Sequence, residues 1–179
     1  YLVDREIFFP DTFWDDLPFN LEVVRDIERV GTMSGRYYHF LRAREESENT
    51  RYRPDMYDKR EEENVWMHEL YEHWGIDTPA VREFLARRYA ERLVGCIENV
   101  TCRNCDLSRT EKREEIRRMI STPQAIEALA LAEPTSAIMA CLFAPMRRGS
   151  VTMTKLQSSF ISFVKRNSTN IFARLKANR

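Results

Sequence analysis

Beyond residue 54 the apolar residues recur every three or four positions, the period of a helix with one buried face. Trp66, Met67, Leu70, Tyr71 and Trp74 form one stripe, and Gly75 is a suitable stop. Thr78-Pro79 predicts the next helix start, with Val81, Leu85, Tyr89, Leu93, Cys96 and Ile97 on its apolar face. Ser108-Arg109-Thr110-Glu111 has the spacing of a capping box ahead of Ile116, Met119 and Ile120. Thr122-Pro123 predicts an Ala/Leu-rich helix to about Ala132, and Pro134 predicts another through Ile138, Met139, Leu142 and Phe143. A last apolar segment holds Leu156, Phe160, Ile161, Phe163 and Val164, then Ile171, Phe172 and Leu175.

The first fifty residues read differently. Ile7-Phe8-Phe9, ended by Pro10-Asp11, predicts a strand or an extended entry into a turn. From Asp15 or Asp16, apolar residues at Phe19, Val23, Val24 and Ile27 predict a helix, with Pro18 near its first turn and an Asp placed to cap it. Gly31 and Gly35 break that helix. Tyr37-Tyr38-His39-Phe40-Leu41 is rich in strand formers, and residues 43–53 read as a polar loop. The expected fold is mainly α: a helical domain over 54–179, preceded over 1–53 by a short strand-helix-strand piece.

Composition narrows the classes. The 179 residues are 43% hydrophobic and 31% charged, which excludes a disordered chain, and five Gly imply few turns and long helices. No apolar run approaches the roughly 20 residues of a membrane-spanning helix. The chain opens on Tyr, with no signal-peptide layout, so it is expected to be an excised part of a longer protein. Four cysteines are too few and too unevenly spaced for a disulfide scaffold, which points to a reducing compartment.

The net charge of zero conceals an asymmetry. Residues 134–179 contain no Asp or Glu and eight cations: Arg147, Arg148, Lys155, Lys165, Arg166, Arg174, Lys176 and Arg179. Residues 1–133 therefore carry −8. The region 147–179 is either the basic face of a core helix or a contact for an anionic membrane surface, since Phe160, Ile161, Phe163 and Val164 adjoin Lys165 and Arg166. Nucleic acid is not the expected partner, because no recognised motif is present and the acidic front half would repel phosphate.

Two patterns suggest metals, and the first fails on geometry. His68-Glu69-Leu70-Tyr71-Glu72-His73 is one residue longer than the zinc-protease signature. At 100° per residue an i, i+5 pair lies about 140° apart, so the imidazoles point to different faces. Cys102-Arg103-Asn104-Cys105, with Cys96 upstream, needs the remote Cys141 to complete a four-thiolate site. A loop with incidental thiols accounts for the same residues.

Phe9-Pro-Asp-Thr-Phe-Trp-Asp-Asp-Leu-Pro-Phe-Asn20 remains, with Asp15 and Asp16 set among aromatics. Helix capping alone would explain them. Their context says more: Phe9-Pro10, Asp15-Asp16-Leu17-Pro18-Phe19-Asn20, Tyr38-His39-Phe40, Arg42, Arg44 and Ser47 follow in that order. This set resembles the C-terminal end of the catalytic domain of bacterial family-2 glycosyltransferases, which have the GT-A fold. In that family a strand ending in Phe-Pro or Phe-Asp leads to a Glu-Asp-Leu-x-Phe-Asn helix start. A helix, a Tyr-His-Tyr strand and a basic loop with a Ser follow. Asp15 stands where the family usually has Glu. The resemblance covers about residues 1–60, and the helical remainder carries none.

The resemblance implies an inverting transfer of a sugar from a nucleotide-sugar to a cell-surface glycan or lipid-linked acceptor. Asp16 is the implied general base and Asp15 an orienting or acceptor-facing carboxylate. His39, Arg42 and Arg44 are the implied substrate-binding groups near the donor diphosphate. The family's divalent metal, Mn or Mg, is held by an Asp-x-Asp, and none occurs here. The metal and nucleotide sites are thus expected in a preceding half, without which this part cannot turn over. Such an enzyme is expected to be cytoplasmic and peripheral at the inner face of the membrane. The helical domain would then cover the active site, pair subunits into a homo-oligomer, or seat the enzyme on the membrane. The alternative reading is a non-catalytic helical interaction module, whose basic tail binds a protein partner or anionic lipid.

Overall fold

A computed structural model describes residues 1–12, 15–35 and 52–167, with side chains to 162. Among the described residues there are seven helices and no strand: α1 (Asp16–Arg25), α2 (Met56–His73), α3 (Pro79–Thr101), α4 (Arg109–Ile120), α5 (Pro123–Leu131), α6 (Ala137–Arg147) and α7 (Val151–Asn167). The protein is mainly α, as the periodicity predicts.

The helix ends follow from local chemistry. Thr78 Oγ1 accepts from the Val81 N–H at 3.3 Å, and Pro79 sits at the first helical position, where its missing N–H costs nothing. Ser108 and Glu111 form the reciprocal capping box: the Glu111 N–H donates to Ser108 Oγ at 3.2 Å, and the Ser108 N–H donates to Glu111 Oε2 at 2.7 Å. Thr122 caps α5 through the Ala125 N–H at 3.1 Å. α2 and α6 stop at Gly75 (φ 64°) and Gly149 (φ 62°), a backbone region that favours glycine. Around each, paired bonds (Gly75 N–H to Glu72 O with Ile76 N–H to Tyr71 O; Gly149 N–H to Met146 O with Ser150 N–H to Pro145 O) complete a Schellman motif.

Two expected elements differ. Pro134 does not open α6. Ser136 does, accepting from the Met139 N–H at 3.3 Å, because a free first turn needs an acceptor that proline lacks. No strand forms over Ile7–Phe9. Residues 2–6 form turns, the Ile7 N–H donates to Leu2 O at 2.9 Å, and no neighbouring strand is present among the described residues to take the ladder bonds. The second expected strand, Tyr37–Leu41, lies outside the described residues.

The chain forms two compact units, Tyr1–Arg51 with Val65–Ile76, and Tyr52–Asn64 with Asp77–Arg179. In the second unit α3 is the central element. Leu85, Ala86, Tyr89, Ala90, Leu93, Val94, Cys96, Ile97 and Val100 are all buried along it, and α4, α5, α6 and α7 pack around it. Phe143, Ile116 and Ala125 are fully enclosed.

Charge enters this core at one place. Glu63, on the first half of α2, is 3% exposed. Its Oε1 accepts from Arg88 Nη2 and, at 3.1 Å, from Arg92 Nε, while Oε2 accepts from Arg60 Nη1. Beside it, Tyr89 Oη donates to Glu61 Oε1 at 2.6 Å. Burial pushes the pKa of the Glu63 carboxyl up, but Arg92, Arg60 and Arg88 outweigh it and hold the group below the ordinary value of 4.5. Its contribution to stability is therefore present above pH 4.5 and is lost as the pH falls through the lower folded value. Glu63→Gln is expected to destabilise the second unit by about 3 kcal/mol at pH 7, since it leaves three guanidiniums around a neutral group. In urea melts that difference from wild type should narrow below pH 4.5.

Candidate functional site

Asp15 and Asp16 open α1 in the first unit. Asp15 has helical dihedrals (φ −57°, ψ −22°), not the extended ones a capping side chain needs, and makes no side-chain cap bond. Its carbonyl takes the Phe19 N–H at 3.2 Å. The capping role that composition alone suggests is thus not filled by its carboxylate. Asp16 lies in the first turn, where the helix dipole favours an anion. Both are exposed, and neither carboxylate forms a hydrogen bond or ion pair with a described residue.

What fixes the segment is aromatic. The Phe9 and Phe19 rings stack with centroids 3.9 Å apart and planes 9° from parallel, closing the loop that presents the two carboxylates. Phe8 and Phe9 remain 70% and 60% exposed. Asn20, four residues after Asp16, shares its helical face. This corner therefore combines carboxylates, a primary amide and exposed aromatic rings.

The other end of α1 is tied down by polar bonds. Asp26 accepts from Arg5 Nη1 at 2.9 Å and pairs with His73 Nε2 at 2.8 Å. The His73 bond, then the charges of His73, Arg5 and Arg25, keep the Asp26 carboxyl below its usual range. Trp74 Nε1 donates to the Arg25 carbonyl at 2.7 Å, and Tyr1 Oη to the Val23 carbonyl at 3.1 Å. His73 is thereby an orienting group at the end of α1. An open groove of about 490 Å³ runs between α1 and the second half of α2, lined by Pro18, Leu21, Glu22, Arg25, Trp66, Glu69 and Leu70. Leu21 and Arg25 lie about 140–180° around α1 from Asp16, so this groove opens away from that carboxylate.

The other sequence candidates fare unequally. His39, Arg42 and Arg44 lie outside the described residues, as does Ser47. Among the described residues no three His, Cys, Asp or Glu side chains converge as metal ligands would. Cys102 ends α3 and Cys105 follows in the turn, its N–H donating to Cys102 O at 3.4 Å. Burial pushes the Cys102 thiol up and the Cys96 thiol to about 12, so neither has the thiolate character of a reactive cysteine. Sequence reasoning missed Glu63 and its arginines, because a charged run at helical positions ordinarily reads as a solvated face. Arg88 and Arg92, one turn apart, were the available signal.

The basic tail is partly engaged inside the fold. Arg147 donates from Nε to the Leu129 carbonyl at 2.7 Å and from Nη2 to the Ala132 carbonyl, closing the C-terminus of α5. Lys155 Nζ donates to the Arg109 carbonyl at 3.2 Å. No described helix is long and apolar enough to cross a membrane.

No family model, curated protein or solved structure matches the chain significantly.

With no partner among the described residues to lose, Asp15→Ala and Asp16→Asn are each expected to change stability by less than about 1 kcal/mol, the scale of the helix-dipole effect. Phe9→Ala should cost more, through the lost stack and burial. Thermal melts of the three variants check the order. A larger loss for either Asp variant would give that carboxylate a structural job.

Proposed function

We propose that this chain is the acceptor-side part of an inverting glycosyltransferase of the family-2 type, acting in bacterial cell-surface polysaccharide synthesis. The observation that carries the reading is the pair of exposed carboxylates, Asp15 and Asp16, which have no side-chain partner among the described residues yet are held at a helix start by the stacked Phe9 and Phe19. The ordered features from Phe9 to Ser47 supply the family.

In this reading Asp16 is the general base. It accepts the proton of an acceptor hydroxyl as that oxygen attacks the anomeric carbon and the nucleoside diphosphate departs. The helix N-terminus favours the ionised carboxylate, the form a base must have. Asp15 orients the acceptor. The exposed Phe rings and the Asn20 amide offer the apolar face and hydrogen-bonding edge that a sugar ring presents. His39, Arg42 and Arg44 are the groups that the family resemblance assigns to the donor diphosphate, where cations offset the leaving group's charge. A divalent ion, Mn or Mg, would supply further charge neutralisation there, held by residues outside these 179. The segment Ile7–Phe9 would pair as a strand with neighbours in the same outside half. The helical unit is an accessory domain of a cytoplasmic enzyme.

The test uses the full-length protein. Asp16→Asn is expected to lower sugar transfer by about 10²–10⁴-fold, the range for losing a general base, with the affinity for nucleotide-sugar nearly unchanged. Unchanged turnover would remove Asp16 from the chemistry.

A further inference from the structure

α7 is apolar on both sides. Its inward face carries Val151, Thr154 and Ser158, all buried, with Ile161 packed against the core, while Met153, Leu156 and Phe160 are 52%, 59% and 66% exposed on the outward side. These three fall at i, i+3 and i+7, one continuous apolar stripe on the outward side. The inward seam also holds polar groups: Thr101 Oγ1 and Ser158 Oγ share a hydrogen bond of 2.6 Å, and Gln157 Nε2 donates to the Cys141 carbonyl at 3.2 Å. Thr154 Oγ1 and Gln157 Oε1 are buried without a hydrogen-bond partner among the described residues. Folding energetics alone would favour the opposite rotation, because each large apolar side chain moved from water inward gains about 1.5–3 kcal/mol. The outward stripe therefore serves something other than the core.

The charges around it name the occupant. Lys155 borders the stripe, and Arg109, Lys112 and Arg113 of α4 are close enough to bear on it. Burial first, then the charges of these three cations, push the pKa of its ammonium below the ordinary lysine value. Arg148 precedes the helix, and no Asp or Glu occurs anywhere in residues 134–179. A second copy docked face to face would set these cations against their like. Three side chains also fall short of the roughly 800 Å² per partner of a stable protein interface. Apolar side chains flanked by cations, on a helix whose described part is not long and apolar enough to span a bilayer, match a surface of anionic phospholipid.

We propose that α7 seats the protein on an anionic membrane surface, with Met153, Leu156 and Phe160 entering the headgroup-acyl boundary and Lys155, Arg109, Lys112 and Arg113 facing the lipid phosphates. This membrane site does not rest on the glycosyltransferase reading.

The 179-residue chain is pelleted with sucrose-loaded vesicles of phosphatidylcholine and phosphatidylglycerol, and separately with vesicles of phosphatidylcholine alone. It is expected to co-sediment with the anionic vesicles only, and to release as salt rises to about 0.5 M and the screening length shortens to a few ångströms. Leu156→Glu with Phe160→Glu should lower the bound fraction at least about ten-fold by removing the inserted apolar area. Arg113→Glu should weaken it less. All three side chains are exposed, so helicity and melting temperature should stay at wild-type values. Absence of sedimentation at low salt, equal binding to neutral vesicles, or unaltered binding by the double variant would each overturn the proposal. So would a dimer, seen by light scattering, that the double variant dissolves while vesicles capture nothing. Loss of transfer activity in the Asp16→Asn enzyme, or its retention, leaves the sedimentation result unaffected.

Discussion

The second unit depends on one carboxylate. Glu63 is the point where three arginines from two helices meet, Arg60 on its own helix and Arg88 and Arg92 on α3. A buried charge of either sign is costly alone, and the cluster is tolerable because both oxygens of the carboxylate accept from guanidinium donors. It fixes α3 in rotation as well as position. Arg88 and Arg92 must point at α2, which turns Leu93 and Ile97, the next positions round, into the apolar core. The packing of four helices around α3 follows from that orientation.

Much of this was legible in the sequence. Thr78, Ser108 and Thr122 were readable as caps and Gly75 as a stop, because caps and stops are governed by a few neighbouring atoms. What was not legible depends on partners far along the chain. Glu63 sits in a run of charged residues that looks solvated until Arg88 and Arg92 are brought to it. Leu156 and Phe160 read as the apolar side of a last helix, and periodicity cannot say whether that side faces in or out. Ile7–Phe9 has strand composition, but a strand exists only where another backbone completes it. Pro134 was read as a start because proline suits a first turn, whereas Ser136 supplies the oxygen that a first turn lacks.

The corner at Asp15 and Asp16 was legible as chemistry only through the order of its surroundings. The geometry adds a distinction that composition could not make. A capping aspartate has extended dihedrals and a bonded oxygen, and Asp15 has neither. The stacking of Phe9 on Phe19 closes an aromatic clasp across nine intervening residues that include both carboxylates. The groove along α1, by contrast, was invisible to sequence reasoning and opens away from Asp16.

The link between α6 and α7 is only Arg148, Gly149 and Ser150, closed by the left-handed glycine. So short and rigid a joint sets the angular phase of the helix that follows it. Since each residue advances a helix by about 100°, one residue more there would carry Phe160 to the angular position of Ile161 and Met153 to that of the buried Thr154, and turn Thr154 and Ser158 out toward solvent. The outward stripe is thus written less in α7 itself than in the length of its hinge: the same seventeen residues, started one step later, would encode an ordinary core helix.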